Sequence, residues 1–93
     1  MTVLEFWPDY GPGPLWTDDG KPVDLRSLDL SADLIEQLEA WNSRYAEHKI
    51  PLGGLGDARW LNEGRNLLRR TRDALKPDYQ VVVTEPWWEV DPT

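Results

Sequence analysis

His48 is the only histidine in the chain, and there is no cysteine. A hydrolase triad needs a base held beside its nucleophile. The serine nearest to His48 in sequence is Ser43, five residues earlier and on a different part of a helix face, and no G-x-S-x-G is present. A zinc site needs several His, Cys or carboxylate ligands, which one histidine without cysteine does not supply. His48 therefore reads as a surface residue near a helix C-terminus, where a cation is favoured.

Three other motifs resolve the same way. Asp18-Asp19-Gly20 lacks the alternating oxygen ligands and the closing Glu of a calcium loop, so it reads as a turn. Gly53-Gly54-Leu55-Gly56 precedes a helix start, where free N–H groups can hold phosphate. No strand leads into it, no G-K-[ST] follows, and Asp57 would repel an anion, so it reads as an inter-helix turn. Arg65, Arg69, Arg70, Arg72 and Lys76 make a basic cluster. Cations belong in the C-terminal half of a helix, and Arg59–Glu63 and Arg69–Asp73 have the spacing of i,i+4 ion pairs. The cluster thus points to internal pairing rather than to nucleic acid.

What remains is aromatic and acidic. The chain has six tryptophans in 93 residues. Trp41 and Trp60 fall on helix stripes and belong to the core. Trp7, Trp16, Trp87 and Trp88 stand beside prolines or turns, with Tyr10 and the acids Asp9, Asp18, Asp19, Glu85, Glu89 and Asp91 around them. Trp and Tyr dominate binding hot spots, and surrounding charge steers a partner of opposite sign. Trp7, Asp9, Tyr10, Trp16, Asp18, Asp19, Trp87, Trp88 and Glu89 are therefore the candidate binding residues. The competing reading is plain packing: a small domain spends Trp on covering its sheet. Trp87-Trp88 fits binding better, because neighbours in an extended segment point to opposite faces.

The elements that position these residues follow from periodicity. Residues 2–7 alternate as a strand that Pro8 stops. Residues 15–23 read as a short hairpin around Asp18-Asp19-Gly20, with Pro22 on a sheet edge. Ser31 caps a helix over 32–48, with Leu34, Ile35, Leu38, Trp41 and Tyr45 as its apolar stripe and Pro51 beyond its end. Asp57 caps a second helix over 58–75, with the stripe Trp60, Leu61, Gly64, Leu67, Leu68, Thr71 and Leu75. Gly64 reads there as a point of close approach. Residues 79–85 make a last strand, and 86–93 an acidic tail. Short links imply antiparallel neighbours. The expected fold is α+β in two layers: a small, mainly antiparallel sheet with two antiparallel helices on one face. On this count of reversals the last strand runs antiparallel to the first.

Charge narrows the partner. The net charge is −7, with −7 in residues 1–40, +4 in 41–77 and −4 in 78–93. Such a surface repels nucleic acid and anionic lipid and attracts basic proteins. The longest apolar run, Val81-Val82-Val83, is far short of the ~20 residues of a membrane helix. The first residues carry no basic leader, and without cysteine the expected compartment is the cytoplasm.

Phe6-Trp7-Pro8-Asp9-Tyr10-Gly11, Pro14-Leu15-Trp16, Ala58-Arg59-Trp60-Leu61-Asn62-Glu63-Gly64-Arg65 and Val82-Val83-Thr84-Glu85-Pro86-Trp87-Trp88 resemble a family of small acidic uncharacterised bacterial proteins. The resemblance spans most of the chain and implies no catalytic residue. Small acidic bacterial proteins of this size also include immunity proteins and antitoxins, an analogy of size and charge. The expected function is a non-catalytic protein-binding module, of inhibitor or immunity type, for a basic partner, with no cofactor. One alternative is an enzyme or small-molecule binder built on carboxylates such as Glu5, Asp9 and Glu85. Another is a homo-oligomer joined through exposed Trp.

Overall fold

The structure, a computed structural model, describes residues 2–9, 13–45 and 57–83. Its elements are β1 (Thr2–Phe6), β2 (Leu15–Thr17), a single turn of 3-10 helix (Leu25–Ser27), α1 (Ala32–Ser43), α2 (Ala58–Leu75) and β3 (Tyr79–Val82). The fold is α+β: a three-stranded sheet in the order β2-β1-β3, with two helices.

β1 pairs antiparallel with β2 and parallel with β3. The parallel pairing corrects the expected direction of the last strand. Residues 21–23 do fold back on β2, through Thr17 N–H to Lys21 O (2.8 Å) and Val23 N–H to Leu15 O (3.0 Å). They add only one bridge, Trp16 to Pro22, rather than a full strand. Residues 24–31 then make a separate traverse through the 3-10 turn, with Leu25 buried in the core. That traverse is an extra reversal, and it turns β3 parallel to β1. Gly20 closes the hairpin turn at φ 86°, a conformation that favours glycine.

Both helices start on side-chain caps. Ser31 Oγ accepts from Leu34 N–H, and Asp57 Oδ1 accepts from Trp60 N–H. α1 stops at Ser43, short of the expected residue 48. Arg44 sits at φ −89° and ψ 3°, and bonds to Trp41 O and Asn42 O tighten the last turn. His48 and the glycine-rich turn lie outside the described residues. Gly64 is buried, in line with its place on the α2 stripe.

The helices run antiparallel. At one end Trp41 stacks on Trp60, with ring centroids 4.5 Å apart and planes 9° from parallel. Each indole also donates to the other residue's carbonyl: Trp41 Nε1 to Trp60 O at 2.9 Å, and Trp60 Nε1 to Trp41 O at 3.1 Å. At the other end Arg70 donates to Gln37 Oε1 at 2.7 Å. The apolar stripes of both helices meet Leu4, Phe6, Leu15 and Val81 of the sheet in one core. Phe6 packs on Trp41 with ring centroids 5.6 Å apart. Leu4, Phe6, Leu15 and Val81 share this face by strand alternation, so Glu5, Trp7 and Trp16 lie on the other.

Candidate interaction surface

The outer face of the sheet carries a tryptophan pair. Trp7 and Trp16 stack with ring centroids 4.1 Å apart and planes 6° from parallel. Trp16 Nε1 donates to Trp7 O at 2.9 Å. Trp16 is 7% exposed, so its indole does not face outward: it fixes Trp7, which keeps part of its surface open.

Asp9 is positioned by its backbone. Asn42, 3% exposed on α1, accepts from Asp9 N–H through Oδ1 (3.2 Å) and donates through Nδ2 to Asp9 O (3.0 Å). The amide fork satisfies both backbone groups of Asp9 and ties the segment after β1 to α1. Sequence reasoning passed over Asn42. Its signal was a polar residue four positions after Leu38, on the buried side of the helix. Asn42→Ala should cost about 1–3 kcal/mol, because it strips partners from both backbone groups of half-buried Asp9. Denaturant unfolding checks this, and an unchanged midpoint contradicts it.

Asp18 and Asp19 are exposed in the hairpin turn. Asp19 accepts from Thr17 Oγ1 and lies 3.6 Å from Lys21 Nζ. Tyr10, Trp87, Trp88 and Glu89 lie outside the described residues. Glu5 stands between Trp16 and Val82 on the outer sheet face; Glu85, its supposed partner, is also outside the described residues.

Residues 18–39 hold seven acids and two bases. Both bases are engaged: Lys21 with Asp19, and Arg26 with Glu39 in a bidentate pair at 2.8 and 3.0 Å. Arg70 reaches across from α2 to Asp33 at 3.8 Å. Asp18, Asp29 and Glu36 remain exposed, with no cation recorded beside them among the described residues. The surface from the hairpin turn to α1 is therefore negative even after internal pairing.

The expected i,i+4 pairs on α2 are replaced. Glu63 goes to Arg44 at 2.7 Å rather than to Arg59, and Asp73 to Lys76 at 3.6 Å rather than to Arg69. Arg44 comes from the other helix and also holds Ala40 O, which presets its position.

The hydrogen bond from Arg26 holds the Glu39 carboxyl below its ordinary value, partial burial opposes this, and the attraction of the same guanidinium adds to it. A carboxyl lowered by folding stabilises above its unfolded value and loses that contribution as pH falls through its folded value. Carboxyl-carbon NMR titration should show Glu39 titrating at lower pH in the parent protein than in an Arg26→Ala variant. A Glu39 that titrates identically in both proteins contradicts the pair.

No helix among the described residues is long and apolar enough to cross a membrane. The model of the Serratia CdiI immunity protein-like family matches residues 2–52. The chain belongs to that family. No curated protein matches the chain. In this CdiI-like protein the matched stretch runs from β1 through α1. It holds the Trp7–Trp16 stack, the Asn42 clamp and ten of the seventeen acids. The basic helix α2 lies beyond it. The acidic surface is therefore part of what the family match covers.

Proposed function

We propose that this CdiI-like chain is an immunity protein that binds a basic toxin and blocks it by occupancy, without catalysis. The supporting observation is that the family match coincides with the uncompensated acidic surface of residues 18–39. Carboxylates there would speed encounter with a basic partner and fix its orientation. The open part of Trp7 beside Asp9, and Asp18 and Asp19 at the hairpin tip, extend that surface. Tyr10, Trp87, Trp88 and Glu89 are proposed as further contacts, with Trp88 as an anchor.

The test is recovery of the complex. Tagged protein purified from its own bacterial host at low ionic strength should bring down a basic protein in a stoichiometric complex that salt disperses. Trp88→Ala should weaken that complex by about tenfold or more, while the melting temperature of the free protein stays within a few degrees. Recovery of no partner at low salt would count against the proposal, as would a partner whose binding is indifferent to salt.

A further inference from the structure

β3 is one of the two outer strands of the sheet, and one of its edges faces away from β1. In a parallel ladder, alternate residues turn both backbone groups to the same neighbour. Thr2 N–H bonds to Asp78 O at 3.3 Å, and the register sets Leu4 against Val81. Gln80 and Val82 therefore face β1, and Tyr79, Val81 and Val83 turn their N–H and C=O groups outward. A side chain corroborates this: Arg72 Nε donates to Val81 O at 2.9 Å, on the side away from β1. This edge is the floor of an open groove of about 820 Å³, walled by Arg72, Lys76, Pro77 and Tyr79.

We infer that this groove receives an extended strand of the partner protein, added along the outer edge of β3 and carrying a carboxylate over Arg72 and Lys76. The inference rests on the reading that the partner is a protein, and it assigns that partner a second contact, apart from the acidic face. Strand-edge N–H and C=O groups without partners are a template for strand addition; among the described residues the outward N–H groups of Tyr79, Val81 and Val83 have no recorded partner, whereas Val81 O is already taken by Arg72 Nε, which an incoming carboxylate would draw away. The chemistry of the incoming strand follows from charge. Arg72 and Lys76 are the charged residues recorded on the groove wall, and both are cationic. Arg72 spends its Nε on Val81, and no acceptor is recorded for its Nη atoms among the described residues. A second copy of this chain fits poorly. Antiparallel pairing centred on Val81 would bring two Arg72 guanidiniums together, a repulsion that an acidic strand turns into attraction.

Short acetylated peptides of alternating Val and Thr, with Glu or Lys at the centre, test this without the toxin. Added to 15N-labelled protein, the Glu peptide should shift the Tyr79, Val81 and Val83 amides more than those of Gln80 and Val82. The Lys peptide should bind about fivefold more weakly. Lys76→Glu and Arg72→Glu should each reverse the preference; Lys76 is exposed, so its variant keeps the fold if Arg72→Glu does not. Equal binding of both peptides, shifts confined to the acidic face, no shifts, or dimerisation through β3 would each overturn the inference. An Asp29→Lys, Glu36→Lys variant should bind the Glu peptide as the parent does. Toxin capture that survives a failed peptide test would leave the immunity reading standing and remove the edge contact alone.

Discussion

Trp60→Ala is expected to lower the stability of the domain by about 3–5 kcal/mol. Trp60 is 3% exposed and Trp41 is 0% exposed, so the substitution opens a cavity the size of an indole in the core at one end of the helix pair. It also removes the stack on Trp41 and the hydrogen bond that Trp60 Nε1 donates to Trp41 O, while the backbone carbonyl of residue 60 can still accept from Trp41 Nε1. Tyr45, which packs on Trp60 with ring centroids 6.1 Å apart, loses its neighbour as well. A domain of this size has a net stability of about 5–15 kcal/mol, so the loss is a large fraction of the whole. Trp60→Phe keeps most of the ring and drops the N–H donor, and should cost about 1–2 kcal/mol. Urea unfolding followed by circular dichroism distinguishes the two. An Ala variant as stable as the parent would show that the helices are held together elsewhere.

The second large effect is on binding. Reversing Asp18, Asp29 and Glu36 to lysine changes the net charge from −7 to −1, since each substitution adds two units. All three are exposed, and none has a recorded cation partner among the described residues, so the fold should tolerate the change. Association with a basic toxin should slow by about 100-fold at low salt, with a much smaller effect at high salt. Asp33→Lys is a poorer choice, because it also faces Arg70. Stopped-flow association rates read this directly. A triple variant with parental rates would place the interface away from the acidic face.

Much of the fold is legible in the residues themselves, for reasons that are local. Leu34, Leu38 and Trp41, and Leu61, Leu68 and Leu75, recur at the helical period, and Ser31 and Asp57 are cap residues whose bonds form within three positions. The direction of β3 is different. It depends on how many times the chain crosses the domain, and residues 24–31 look like polar loop with one leucine buried. Trp16 shows the same limit. Beside a turn it reads as either packing or binding, and the ring that covers it is Trp7, nine residues away just past the end of β1. The ion pairs were misplaced because exposed alternatives differ by a few tenths of a kcal/mol, less than the positional advantage of Arg44 and Lys76.

The candidate surface was legible as charge and not as structure. The excess of acid in residues 1–40 is plain from composition. Which carboxylates are neutralised is decided by Arg26 and Arg70, whose partners come from other elements. In the sequence Arg72 is one member of a basic cluster. Its role at the β3 edge required the sheet order and the groove beside it.

Growth protection tests the central claim most directly. Bacteria expressing the toxin that co-purifies with this protein should arrest alone, grow when the parent chain is supplied in trans, and arrest again when the Asp18→Lys, Asp29→Lys, Glu36→Lys variant replaces it at equal abundance. Protection by that variant equal to the parent's, or arrest despite abundant parent protein, would contradict neutralisation through the acidic face.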